Sequence, residues 1–259
     1  MFSLKPRQEL RIETIQDVTL KINNGSIEIF GREIPNNVDL CLKKGLKLGL
    51  FSWQGAQLEI SGDLGSDYIA DETPMTSYLN VLLALEQMRE YQLPRVMIVG
   101  GADAGKSTLS KILTNYTTKQ GKELMFVETD PNSSSLSLNG SIGVTCVNQC
   151  LDIEQGWGAP QSLLGNIPLV YYYGYSKIFE FQEYYQKLLL GLSIVVDQKI
   201  EKSSDTRALL INTPSEFTAS PKGFELLLYT MKLFSVNVVL VIGHERLYSN
   251  LVKQVRSTS

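Results

Sequence analysis

The sequence predicts an α/β P-loop NTPase domain, a parallel sheet with helices on both faces, preceded by a small all-β sandwich. Three observations lead there. Residues up to about 72 alternate apolar and polar side chains in short runs separated by turn residues. Beyond Thr73-Pro74, continuous apolar runs alternate with helical periods. Between one such run and one such period lies Gly100-Gly-Ala-Asp-Ala-Gly-Lys-Ser107, a Gly-x4-Gly-Lys-Ser loop.

In the first unit, taken as residues 1–72, the alternating runs are Val18–Ile22, Ser26–Phe30, Leu46–Trp53 and Gln57–Ile60. Their period of two is that of strands with one face in a core. Asn24-Gly25 lies between two of them, and both residue types accept positive φ, so a tight type I′ hairpin is expected there. A small sandwich follows from the close spacing of the runs.

In the second unit, residues 73–259, Met75, Tyr78, Leu79, Leu82, Leu83, Leu85 and Met88 recur at helical spacing until Leu93-Pro94 breaks the period. Then come the apolar run Val96–Val99, a helix from Lys106 to about Thr118, the run Leu124–Val127 and a polar stretch over 132–137. Phe179–Val196 reads as an amphipathic helix, and Ala208–Ile211 and Val236–Ile242 as further buried strands. Such runs need both faces covered, which a parallel sheet between helices provides.

Composition excludes several classes of function. The apolar stretches are too short and interrupted to span a bilayer, and the N-terminus lacks a signal-peptide core, so a cytosolic or nuclear protein without membrane contact is expected. Cys41, Cys146 and Cys150 show no paired spacing for a disulfide framework or a zinc site. His244 is the only histidine and lies far from any nucleophile motif, which removes most triad and zinc hydrolase mechanisms. A net charge of −3 gives no whole-chain electrostatic footprint for nucleic acid.

The phosphate loop is the specific signal. Its glycines let backbone N–H groups converge on phosphate oxygens, and the helix N-terminus adds a favourable dipole. Lys106 would reach the β- and γ-phosphates, and Ser107 would offer a hydroxyl to Mg²⁺. Asp130, just past the run Leu124–Val127, stands where P-loop proteins place a carboxylate for magnesium or a reacting hydroxyl; the competing reading is a turn-forming Asp before Pro131. No guanine-recognition NKxD motif is present, so ATP is the expected nucleotide.

Several separate motifs then agree in order with one family. Gly25…Glu28-Ile-Phe-Gly31, Phe51-Ser-Trp53, Thr73-Pro-Met…Leu79-Asn…Ala84-Leu-Glu-Gln-Met-Arg89, Pro94–Gly100 with the phosphate loop, and Glu245-Arg-Leu-Tyr248 resemble the polyribonucleotide 5′-hydroxyl-kinase subunit of the eukaryotic mRNA cleavage factor. The similarity covers nearly the whole chain and the N-terminal two-thirds of that family, whose members continue into a C-terminal domain. It implies a nuclear protein with bound ATP and Mg²⁺ in pre-mRNA 3′-end cleavage and polyadenylation, beside a scaffold subunit. In animals it also implies the tRNA-splicing endonuclease as a partner. ATP would be held between the two domains, with Glu9 at the adenine, Lys47 helping to hold the nucleotide, and Asp103, Ala104, Gly105, Lys106, Ser107 and Thr108 at the phosphates.

The substrate side departs from the family. Its Thr-x-Gly-Trp clasp for the RNA 5′ end is here Asn212-Thr-Pro-Ser-Glu-Phe217, with Glu216 in place of the tryptophan. Losing an aromatic platform removes ~1–3 kcal/mol of base stacking. Its Ser-Thr-Thr-Pro-Gly lid is here Tyr175-Ser-Lys-Ile-Phe179. Two functions follow as expectations: an ATP-loaded binding module with weak or indirect RNA contact, or an RNA 5′-hydroxyl kinase using Lys106 and Asp130. A third reading, an ATPase or small-substrate kinase, would use Tyr171, Tyr172, Tyr173 and Tyr175 for recognition, although such a cluster more often forms a half-buried sheet edge.

Overall fold

The computed structural model describes residues 1–133, 135–157, 167–202 and 206–258. In the N-terminal part the strands are β1 (Phe2–Leu4), β2 (Gln8–Thr14), β3 (Val18–Gly25), β4 (Ile27–Ile29), β5 (Arg32–Ile34), β6 (Asp39–Leu42), β7 (Lys47–Ser52), β8 (Ala56–Ser61) and β9 (Leu64–Ile69). They form two antiparallel sheets, β1-β8-β3-β6 and β5-β4-β7-β2-β9. Leu10, Leu20, Ile22, Ile27, Ile29, Leu50 and Leu58 fill the space between them, the alternate positions that the period of two picks out.

The hairpin expected at Asn24-Gly25 does not form. β3 and β4 belong to different sheets, so the chain crosses the sandwich there, and Gly25 instead pairs with Ala56. The tight turn is Phe30-Gly31, between the paired residues Ile29 and Arg32, with φ of 51° and 76°. A phenylalanine is costly at positive φ, and tertiary contacts hold it: Asn115 Nδ2 donates to its carbonyl at 2.8 Å and the Lys111 ammonium sits 4.7 Å over its ring. Turn propensity counted only local residues, whereas these partners lie more than eighty positions away.

The second part contains α1 (Met75–Met88), β10 (Arg95–Gly100), α2 (Lys106–Lys119), β11 (Glu123–Glu128), β12 (Ser141–Val147), β13 (Leu169–Tyr172), α3 (Gln182–Lys202), β14 (Thr206–Asn212), α4 (Glu216–Ala219), α5 (Pro221–Leu233), β15 (Val238–Ile242) and α6 (Glu245–Thr258). The sheet order is β13-β12-β11-β14-β10-β15. β11, β14, β10 and β15 are parallel, and β12 and β13 extend the sheet antiparallel. The polar stretch 132–137 makes turns after β11, with Ser134 outside the described residues.

Helices cover both faces of this sheet. Met97, Val99, Met125 and Val127 pack against α3, α5 and α6, while Val96, Ile98, Leu124 and Phe126 pack against α1 and α2. Phe51 of the sandwich joins the second of these clusters, and Ile153 joins the sandwich interior, so each part contributes a side chain to the other's core. α3 begins after the expected Phe179, because the Tyr173 hydroxyl accepts from the Phe181 N–H and holds the preceding turn.

Candidate functional site

The phosphate loop leaves β10 at Gly100 and enters α2 at Lys106. Asp103 and Gly105 are left-handed, with φ of 54° and 94°, which turns successive N–H groups toward one side. Gly105 is the N-cap of α2 and offers no side chain to cap it. A Cβ at Gly101 or Gly105 would meet nothing within 4 Å, so the loop faces open space there. At Gly100, by contrast, a Cβ would lie 2.8 Å from the Ile242 carbonyl, so glycine is needed for strand packing.

Lys106 is buried, and its Nζ donates to the carbonyls of Gly100 at 3.1 Å and Gly101 at 2.8 Å. Burial pushes its pKa down, and the nearby charges of Asp130, Glu128, Glu216 and Asp103 oppose that. Ser107 and Thr108 are exposed on the first turn of α2.

Asp130 lies two residues beyond β11, with β14 between that strand and the phosphate loop. Its Oδ1 accepts from the Asn132 N–H at 2.9 Å and its Oδ2 from Ser133 Oγ at 3.0 Å, so the carboxylate does shape a turn. The turn reading is thus met by geometry, and Asp130 is also among the charges felt by Lys106.

Glu128 was not among the expected site residues. It ends β11 directly opposite Asn212 of β14, and is almost wholly buried. Its carboxylate accepts from Asn212 Nδ2 at 3.0 and 3.1 Å, from Ser135 Oγ at 2.9 Å and from the Asp130 N–H at 3.0 Å. Burial raises its pKa to about 8 in spite of these donors. A carboxylate closing the apolar run Leu124–Val127 was the signal that could have found it.

The clasp segment is built into the core. Thr213 Oγ1 donates to the Ile98 carbonyl at 2.6 Å, and Phe217 is fully buried in the cluster beneath α3 and α5. Phe217 therefore presents no ring to a ligand, and half-buried Glu216 is the side chain whose charge reaches Lys106. Tyr173 is buried and Tyr171 half-buried, while Tyr172 and Tyr175 are exposed, a sheet edge with an aromatic rim.

Between the sandwich and the phosphate loop runs a cleft of about 600 Å³. It brings together Glu9, Lys47, Asp103, Ala104, Gly105 and Thr108, residues separated by up to a hundred positions. Lys106, Ser107 and Asp130 are not among its lining residues. Glu9 is mostly buried, its Oε1 accepting from Arg11 Nε at 2.7 Å and its Oε2 from Thr73 Oγ1 at 2.5 Å. Gly49 lies under this carboxylate, where a Cβ would come within 3.0 Å of Oε1. Lys47 is largely free, with only a 3.6 Å approach to Glu13. Arg11, Tyr68 and Tyr78 also line the cleft and were not anticipated.

A glycine-rich loop between a central parallel strand and a helix, with carboxylates at the end of β11 one strand further along the sheet, defines a nucleotide-binding P-loop protein of the kinase-like type. Comparison with known proteins then fixes the family. The description "mRNA cleavage and polyadenylation factor CLP1 P-loop" matches residues 100–259, and "N-terminal beta-sandwich domain of polyadenylation factor" matches residues 3–92. The chain belongs to the CLP1 family.

It is 36% identical over 271 residues to the Protein CLP1 homolog of Arabidopsis thaliana, covering 99% of this chain and 59% of that relative. It is 34% identical over 264 residues to the Polyribonucleotide 5'-hydroxyl-kinase Clp1 of Homo sapiens, covering 98% and 60%. A solved Clp1p chain from a complex with Pcf11p has a TM-score of 0.84 at 23% identity, over 97% of this chain and 62% of that one, a likeness of fold. The chain spans about three fifths of the length of the curated relatives it matches. No helix among the described residues is long and apolar enough to cross a membrane.

Proposed function

We propose that this chain is a nuclear ATP-binding subunit of the pre-mRNA 3′-end cleavage and polyadenylation machinery, in which ATP and Mg²⁺ act structurally. The nucleotide would lie between the units 1–72 and 73–259 and shape a surface for a protein scaffold. Pcf11p is the partner in the solved complexes of the structural relatives, and a protein of that kind is the scaffold proposed here. The tRNA-splicing endonuclease and a weak or indirect RNA contact rest on the resemblance alone.

One observation carries the proposal: the two sides of the phosphate loop are unequally equipped. The open cleft, lined by charged and apolar side chains, suits a nucleotide, with Glu9 and Lys47 on the sandwich wall and Asp103, Ala104, Gly105 and Thr108 on the other. The space at Gly101 and Gly105 and the buried Lys106 suit an anionic phosphate. Ser107 and Asp130 would offer the hard oxygen donors that Mg²⁺ prefers, and the metal when bound would neutralise phosphate charge. In the clasp segment, Phe217 is locked in the core and Glu216 adds negative charge that reaches Lys106, which disfavours a second phosphate chain there.

The second reading is a polyribonucleotide 5′-hydroxyl kinase, favoured by Asp130 and Glu128, whose charges are felt at Lys106. Asp130 would then align or deprotonate the acceptor hydroxyl.

The test is to purify the chain without added nucleotide, identify what co-purifies, and incubate it with labelled ATP, Mg²⁺ and 5′-hydroxyl RNA beside Lys106→Ala. The expected result is stoichiometric, unhydrolysed ATP in the unmutated chain, retention weaker by about a hundred-fold in Lys106→Ala, and no label on RNA. Label that appears on RNA and vanishes with Lys106→Ala would replace the structural reading by the kinase.

A further inference from the structure

Glu28 is a mostly buried carboxylate on β4 that the nucleotide reading does not use. Three donors from two other parts of the fold converge on it. Tyr116 of α2 donates its hydroxyl to Oε2 at 2.6 Å, Trp53 donates Nε1 to the same oxygen at 3.2 Å, and Lys119 of α2 reaches Oε1 at 3.1 Å. Burial and the carboxylate both hold the Tyr116 hydroxyl well above its ordinary pKa, which keeps it a donor at any working pH. Glu28 also lines the cleft, together with Phe51, its partner on β7, and Phe30 in the turn that follows β4.

α2 is the helix whose first turn carries the phosphate loop, so these contacts tie the sandwich wall of the cleft to the phosphate wall through one rigid element. The Phe30-Gly31 turn strengthens the joint, because its carbonyl is held by Asn115 and a Cβ at Gly31 would press within 3.3 Å of Ile112 and Tyr116. Charge-assisted hydrogen bonds in a buried seam fix separation and angle more firmly than apolar contact alone.

We infer that Glu28 is a positioning residue for the cleft, setting the distance between the Glu9–Lys47 wall and the phosphate loop. The inference rests on the reading of the cleft as a nucleotide site. It separates two kinds of ligand: one that bridges both walls depends on Glu28, and one that touches only the phosphate loop does not.

The experiment compares ATP with inorganic tripolyphosphate by calorimetry, on the unmutated chain, Glu28→Gln and Tyr116→Phe. Tyr116→Phe keeps the ring and removes one donor, which serves should Glu28→Gln fail to fold. Trp53 fluorescence in a Trp157→Phe background reports the seam directly. The expected result is ATP affinity lowered about ten-fold in either variant, tripolyphosphate affinity unchanged, and an ATP-dependent change in Trp53 emission that the variants lose. Equal loss for both ligands, or no loss for either, would overturn the positioning role. An unmutated chain that binds tripolyphosphate but gains nothing from the nucleoside would overturn the cleft reading and the inference with it.

Discussion

On the sandwich side of the phosphate loop the side chains stand around open space, with the Lys47 side chain 78% exposed and that of Arg11 43%. On the strand-end side, Glu128 and Asn212 are each 1% exposed and Phe217 not at all. The Glu128 carboxylate takes donors from Asn212, Ser135 and the Asp130 N–H, and among the described residues Asn212 Oδ1 alone of these oxygens is left without a partner. Two surfaces of one loop thus differ in what they leave available. A site that receives a ligand keeps side chains open to solvent, whereas one whose groups are enclosed and mostly satisfied has become part of the scaffold.

The strongest way to break this comparison is Phe217→Ala. A ring fully buried among α3 and α5 should cost about 3–5 kcal/mol when truncated, measured by chemical denaturation. A loss below about 1 kcal/mol would mean that the clasp segment is slack and its ring free to meet a base.

Glu128 gives the next largest effect and a sharper test of enclosure. Its folded pKa of about 8 lies above the ordinary carboxyl value of 4.5, so the native chain binds this proton more tightly than the unfolded chain does. The associated stability is complete below about pH 4.5 and is lost as pH rises through about 8. Relative to Glu128→Gln, the unmutated chain should lose roughly 2–4 kcal/mol between pH 5 and pH 9. A constant difference across that range would show Glu128 ionised in place and the strand ends as open to water as the cleft.

Lys47→Ala is the smallest expected change. Its exposed approach to Glu13 contributes little, so thermal stability should move by about 0.5 kcal/mol or less. ATP affinity should nonetheless fall about five-fold, the contribution of one solvent-facing charge to a phosphate. Unchanged affinity would remove Lys47 from the nucleotide and leave the cleft's charge to Arg11.

Much of this was legible in the sequence, and the parts that were not share a cause. The sequence alone determined the phosphate loop, α2 and the buried parallel strands on either side. The loop's left-handed residues, Asp103 and Gly105, both lie within its eight residues, and the strands follow from apolar runs whose pattern needs no distant partner. The tertiary structure alone decided the rest. Asn24-Gly25 carries the stronger turn chemistry, yet the chain turns at Phe30-Gly31, because α2 packs against that corner. Phe217 could have faced a ligand until the packing of α3 and α5 enclosed it. Residue pattern alone makes Glu9 and Glu28 ordinary strand carboxylates, and only the family resemblance set Glu9 at a nucleotide, since their partners Thr73, Tyr116 and Lys119 lie 64 to 91 residues further along the chain. Periodicity and motifs report forces that act over a few residues, while burial and the convergence of donors on a carboxylate arise only when distant segments exclude water together.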